Sequence, residues 1–334
     1  MKNRIVKSDG IRAGLGIEPA MAFPSVTVTI PATTANIGPG FDCLGAALTL
    51  HNRFVFSALE GPPGTVDIQV EGEEASRVAI SAENLVYKAF TYLFQQWSRP
   101  VPAVSIKIHL GVPLARGLGS SSTAIVGGLV GANCLANQPF GQNDIMAMAI
   151  ALEGHPDNVV PALVGGCQLA ALDQHSRWTL CNIPWHDDIV PVVVIPNFEL
   201  STQAARQVLP DSYSRADAIF NTAHLGLLQR GLATGNEDWL RAALDDRIHQ
   251  PYRKTLIPGY DEVAAAALDA GAYGLVISGA GPTLLALAPR PQADMVRQAL
   301  QTTWTDLGQT AVSYALALNT HGAETSVNET AEPS

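Results

Sequence analysis

Cationic side chains are scarce in this chain. Twenty Lys and Arg stand against thirty Asp and Glu, a formal net charge of −10, and no stretch gathers the cations into a patch. A phosphate backbone or an anionic bilayer needs such a patch, so nucleic acid and membrane are not expected partners. Cysteine is sparse as well. Cys43, Cys134, Cys167 and Cys181 lie far apart without a CxxC pair, which fits reduced thiols and not a disulfide framework. Long apolar runs are missing too: segments such as Val159 to Val164 stop well short of the ~20 residues that span a bilayer. Residues 1–21 carry Lys2, Arg4 and Lys7 but no apolar h-region, so they read as a flexible leader, and a cytoplasmic location is expected.

What is present is a folding composition, 47% hydrophobic over 334 residues, enough for two packed domains. Val26, Val28 and Ile30 alternate with threonines and run into Pro31, which predicts a strand followed by a Gly-rich loop. Further strands are expected at Phe54 to Ala58, Thr65 to Glu71 and Val104 to Leu110. Helices follow over about Ser122 to Ala136 and Asn143 to Leu152. Strands then return near Val164 to Ala171, Trp178 to Ile183 and Val190 to Ile195. A mostly helical stretch, about 202–270, leads to strands at Gly274 to Ile277 and Leu284 to Ala288, a helix from Gln292 to Thr303 and a last strand near Val312 to Leu316. The boundaries drawn from this are a domain at 22–195, a second at 196–319, and a polar, disordered tail at 320–334.

The most informative segment is Pro113-Leu114-Ala115-Arg116-Gly117-Leu118-Gly119-Ser120-Ser121-Ser122, between an expected strand and an expected helix. Gly117 and Gly119 permit positive φ and close backbone approach, while the serines cap the helix and present hydroxyls. Such a turn makes an anion site: a triphosphate would meet backbone N–H groups and the positive end of the helix dipole, and a serine hydroxyl could complete the coordination of Mg²⁺. It is neither a GxxxxGK[ST] loop, since no Lys follows, nor GxGxxG, since Ser122 stands where the last Gly would be. An ordinary Gly-Ser helix cap is the bland alternative.

That string resembles the phosphate loop of the GHMP kinases, small-molecule kinases named for galactokinase, homoserine kinase, mevalonate kinase and phosphomevalonate kinase. Two further motifs of the family appear in order, Pro31-Ala32-Thr33-Thr34-Ala35-Asn36-Ile37-Gly38-Pro39-Gly40-Phe41-Asp42 and Ser278-Gly279-Ala280-Gly281-Pro282-Thr283. The resemblance covers roughly residues 23–318. It implies an α+β fold of two domains, N-terminal ribosomal-protein-like βαβ and C-terminal ferredoxin-like, with ATP bound along Pro113 to Ser122 and Mg²⁺ held by Ser121 and Glu153.

The acceptor is read from other strings: Asn36 to Gly45, Glu153-Gly154-His155-Pro156-Asp157-Asn158, Ser201 to Arg206, and Pro251-Tyr252-Arg253. These resemble the homoserine-kinase branch, which implies L-homoserine as substrate and a step of threonine biosynthesis. By that resemblance Arg206 and Arg253 hold the α-carboxylate with Thr202 and His155 nearby, Asn36 and Asp42 hold the ammonium and hydroxyl end, and Gly279 borders the same pocket. Asp157 and Asn158 fall in the catalytic region, Asp157 as a positioning group and not a general base. Bland roles stay open for each: Arg206 as a solvated residue, Arg253 paired with Asp245 or Asp246, and Asn36 and Asp42 bracing their own loop. Another acceptor in the family, such as mevalonate, or a catalytically silent ligand sensor are the rival readings. A homodimer is left open.

Overall fold

The computed structural model describes residues 25–328. The first sheet is built from β1 (Ser25–Asn36), β2 (Gly40–Ala58), β3 (Val66–Glu71), β4 (Val104–His109), β5 (Cys167–Leu172) and β6 (Trp178–Ile183). It is completed by a strand from the far end of the chain. Helices α1 (Leu85–Gln96), α2 (Ser120–Leu135), α3 (Gln142–Glu153) and α4 (Pro156–Val164) interleave with these strands. The strand order places β4 beside β2 antiparallel and beside β3 parallel.

Alternation decides which side of this sheet is dry. Val26, Val28, Ile30, Phe54 and Phe56 all point to one face, where they meet Phe90, Leu93 and Phe94 of α1 and Ile125, Val126 and Leu129 of α2. Each large side chain so buried contributes roughly 1.5–3 kcal/mol. The low polarity of α2 follows from its position, since it is covered by the sheet on one side and by α1 and α3 on the other. Its Gly131 lets it lie close on β2, where an added Cβ would fall 2.2 Å from the ring of Phe56.

The second sheet begins with β7 (Ile189–Pro196) and continues, after α5 (Thr202–Gln207), α6 (Arg215–Thr234), α7 (Glu237–Ala243), α8 (Gln250–Arg253) and α9 (Tyr260–Asp269), with β8 (Gly274–Ile277) and β9 (Leu284–Pro289). Helix α10 (Ala293–Asp306) and strand β10 (Ala311–Ala315) close it. All neighbours are antiparallel in the order β10-β7-β9-β8, the ferredoxin-like arrangement expected. α9 and α10 cover one face around the fully buried Trp304. The other face carries Val193, Ile195, Leu285 and Leu287 into a core shared with Ala32, Leu44, Leu48 and Leu118 of the first half. That shared core fixes the two sheets against each other and creates the cleft between them.

Three boundaries differ from the sequence reading. β7 belongs wholly to the second sheet, so the division falls between Ile183 and Ile189 and not at 195/196. β1 does not stop at Pro31: after a register shift between Pro31 and Ala32 it goes on pairing with β2 as far as Asn36, because a proline is tolerated at such an irregularity. The expected disordered tail holds β11 (Glu324–Asn328), which pairs antiparallel with β1 from Ser25 to Thr29. The leader at 1–21 lies outside the described residues. Among the described residues, no helix is long and apolar enough to cross a membrane.

Candidate active site

The cleft holds a cavity of about 480 Å³. Its floor is the turn that links β4 to α2. Ala115, Gly117 and Gly119 all take positive φ there (54°, 78° and 66°), which curls the backbone around the N-terminus of α2. Glycine is required sterically at two of these points: a Cβ on Gly117 would fall 2.3 Å from the Ser278 carbonyl oxygen, and one on Gly119 2.0 Å from Thr33 Oγ1. The three motifs therefore touch. Thr33 N donates to the Leu118 carbonyl (3.1 Å), Ser278 Oγ donates to the Gly117 carbonyl (2.6 Å), and Thr283 N donates to the Arg116 carbonyl (3.3 Å).

At the mouth of this turn, the hydroxyls of Ser121 and Ser122 both donate to Glu153 Oε1, at 2.8 and 2.9 Å. Glu153 ends α3, and Gly154, at φ 95°, turns the chain into α4. The segment Pro156-Asp157-Asn158 is the first turn of that helix. Asp157 is buried there and its Oδ1 meets His155 Nδ1 at 2.5 Å. Burial alone would push the His155 imidazole down, but its bond to Asp157 and the charges of Asp157, Glu153 and Asp42 outweigh this and hold it above the ordinary value. Asn158 Oδ1 accepts from Thr33 Oγ1 (2.8 Å), tying α4 to β1 beneath the glycine turn.

The other end of the cavity is cationic and acidic at once. Asp42 and Arg206, 164 positions apart, form a bidentate pair at 2.8 and 2.9 Å with about a third of each side chain exposed (35% and 39%). Arg206 is thus no free solvated residue. Its guanidinium is held above its ordinary pKa first by the hydrogen bond to Asp42. Arg253 is 2% exposed, donates Nε to the Ala205 carbonyl (3.1 Å) and Nη1 to the Gly279 carbonyl (3.0 Å), and bonds to neither Asp245 nor Asp246. Burial first, then the neighbouring Arg206, lowers its pKa. Both guanidinium groups lie over the ring of Phe41, at 5.8 and 5.0 Å, and Phe41 stacks in turn on the fully buried His249. Thr202 opens α5 behind the Ser201 cap and also faces the cavity.

Nearly every residue expected from sequence borders this one cavity, with qualifications. Asn36, at φ 71°, spends its amide on the Gly279 carbonyl (2.7 Å) and its oxygen on Asp42 N (2.9 Å), so it braces the Asp42 loop as the bland reading had it. Pro113, Leu118 and Ser122 are off the cavity wall, and Leu118 is buried in the shared core. The Arg116 guanidinium is engaged by Glu74, by the Leu114 carbonyl of its own turn and by the carbonyls of Pro196 and Asn197. Sequence reasoning gave Phe41 no role although it stands in the first motif, and it missed Glu74, Arg77 and the apolar wall of Val78, Ala79, Leu85 and Leu110, which lie outside all three motifs.

Comparison with known proteins agrees with this geometry. The model for the GHMP kinases N terminal domain matches residues 84–166, and that for the GHMP kinases C terminal region matches 227–306. The chain is 62% identical over 299 residues to a homoserine kinase of Trichormus variabilis, covering 90% of this chain and 98% of that one, and 57% identical over 299 residues to a homoserine kinase of Synechococcus, covering 90% and 97%. A crystal structure of homoserine kinase from Cytophaga hutchinsonii superposes with a TM-score of 0.83 at 28% identity, covering 94% of this chain and all of that one. At 15% identity, mevalonate kinase of L. major shares the fold, with a TM-score of 0.65 over 93% of this chain and 99% of that one. With three motifs packed around one cleft and relatives of this identity along nine-tenths of its length, the chain belongs to the GHMP kinase family, in its homoserine-kinase branch.

Proposed function

We propose that the chain transfers the γ-phosphoryl group of ATP to the hydroxyl of L-homoserine, giving ADP and O-phospho-L-homoserine. One observation carries the reading: a single cavity joins an anion-binding glycine turn to a facing acid and guanidinium pair. The turn suits a triphosphate, with free amides at the head of the 16-residue α2 and the apolar wall of Val78, Ala79, Leu85 and Leu110 alongside for a base. The Asp42 and Arg206 pair suits a zwitterion, whose ammonium and carboxylate can take each partner in turn. Mevalonate has a carboxylate but no ammonium and would leave Asp42 without a new partner.

Ser121 and Glu153 offer hard oxygen donors already converged on one point, and a single carboxylate leaves room for phosphate oxygens, which fits Mg²⁺. Bound there, the ion would neutralise charge on the transferring group. The remaining tasks are positional. Arg206 and Arg253 orient the acceptor, His155 stands beside it, and Asp157, engaged by His155 and within 3.4 Å of Asn158 Nδ2, holds these side chains and does not abstract a proton. Release of ADP measured with homoserine, mevalonate, galactose and serine tests the reading. Turnover with homoserine well above the others supports it, and preference for mevalonate or galactose overturns it.

A further inference from the structure

The phosphate-binding turn has no strand partner, so its shape depends on what holds it. Three of its ties come from motif residues, Thr33, Ser278 and Thr283. The fourth does not. Glu74, in the turn after β3 and outside all three motifs, accepts from Leu114 N through Oε2 (2.7 Å) and from Arg116 Nη1 through Oε1 (2.7 Å). Arg77 Nη1 reaches the same Oε1 at 2.5 Å, and its other terminal nitrogen pairs with Glu199.

Arg116 then carries the tie across the cleft. Its side chain is 13% exposed, with Nε donating to the Pro196 carbonyl (3.1 Å), Nη2 to the Asn197 carbonyl (3.3 Å) and Nη1 to the Leu114 carbonyl (2.9 Å). Pro196 ends β7, and six residues beyond it α5 begins, with Thr202 at its start and Arg206 in its last turn. One carboxylate thus sits between the glycine turn of the first sheet and the strand end that leads to the acceptor helix.

We propose that Glu74 is a positioning residue for phosphoryl transfer: it fixes the phosphate-binding turn and, through Arg116 and Arg77, sets its distance from α5. The proposal rests on the kinase reading above. Its chemistry is selective. A carboxylate can accept from an amide and two guanidinium groups at once, whereas a carboxamide has one acceptor oxygen and would present an N–H₂ to either Leu114 N or Arg116. Glu74 lies below the ordinary carboxylate range because, against burial, the bonds from Leu114, Arg116 and Arg77 favour the ionised form.

The test compares Glu74→Gln and Glu74→Asp with the unaltered chain. Expected for Glu74→Gln is a fall of about tenfold in kcat/KM for ATP, as for loss of charge-assisted hydrogen bonds, together with a lower kcat for homoserine at saturating ATP. Because Glu74 is ionised throughout, the ratio to the unaltered enzyme should stay constant from about pH 6 to 9. Glu74→Asp, which keeps the charge, should recover part of the loss. Thermal midpoints should move little, and circular dichroism should show the fold retained. Unchanged ATP kinetics in Glu74→Gln overturn the proposal, as does a loss matched by a falling midpoint and by equal failure of Glu74→Asp. Calorimetric binding of Mg-ADP to the same variants keeps the question separate from the acceptor: if homoserine proves the wrong substrate, weaker nucleotide binding in Glu74→Gln still supports the tie, and unaltered binding overturns it.

Discussion

Removal of the Arg206 guanidinium separates recognition from folding most sharply. In the free protein the pair with Asp42 is about one-third exposed, so its contribution to stability is that of a surface ion pair, at most ~1 kcal/mol. With homoserine in the cleft the same guanidinium would face a carboxylate out of reach of solvent, and losing one partner of such a contact costs ~2 to 5 kcal/mol. The substrate must first displace Asp42, which cancels part of this, so the net loss is expected near the lower end. At ~2 to 3 kcal/mol, Arg206→Ala should lower kcat/KM for homoserine about 30- to 150-fold, mostly through KM, with ATP KM nearly unaltered. Arg206→Lys should also be impaired, since one ammonium cannot reproduce the planar fork. 3-Aminopropanol, which lacks the carboxylate, gives the control: it should be a poor substrate for the unaltered enzyme and lose little more in Arg206→Ala, where Asp42 is released to meet its ammonium. Steady-state kinetics on both acceptors checks this. Equal losses for homoserine and 3-aminopropanol would refute the reasoning and return Arg206 to a bracing role for the Asp42 loop.

Ser121→Ala and Glu153→Gln should each lower kcat at least about 100-fold at saturating Mg-ATP, as expected for groups that hold a charge-neutralising ion; circular dichroism should show both folded, and near-normal turnover in both would remove the metal assignment. Gly119→Val places carbon against Thr33 Oγ1 and, 3.1 Å away, Asn158 Oδ1, so it should lower the thermal midpoint as well as abolish nucleotide binding; an unchanged midpoint would mean that the turn yields freely. The raised pKa of His155 stabilises the fold fully below the unfolded value of about 6.5, and this is lost as pH rises through the folded value. Relative to His155→Asn, the unaltered protein should lose thermal stability as pH rises above about 6.5, and parallel curves would contradict the bond to Asp157.

Local chemistry was legible in the sequence wherever it was written in neighbouring residues. Strand β4, the glycine turn and α2 follow from alternation and two glycines, all within some thirty positions, although Gly119 and not a serine is the N-cap of α2 and the hydroxyls of Ser121 and Ser122, expected to cap it, turn to Glu153 instead. Resemblance then supplied the cluster around the cleft. What stayed hidden depends on distant partners. Nothing near Arg206 announces Asp42, and nothing near Glu74 announces Leu114 or Arg116. The apolar run of β7 reads as a strand, but its membership of the second sheet is set by pairing with β9 and β10. β11 is polar by composition and becomes a strand because β1 offers it an open edge. Asn36 is the instructive case: its place beside the cavity was legible from its motif, yet only its bonds to Gly279 and Asp42 show that its side chain is engaged by the protein.

The central claim is that phosphate passes from ATP to the hydroxyl of homoserine in this cleft, and ³¹P NMR of a reaction with Mg-ATP and L-homoserine tests it most directly. The account predicts a new phosphate monoester resonance coupled to the γ-methylene protons, growing in step with ADP and lost with Glu153→Gln. ADP accompanied only by inorganic phosphate, or an ester formed with mevalonate and not with homoserine, would contradict it.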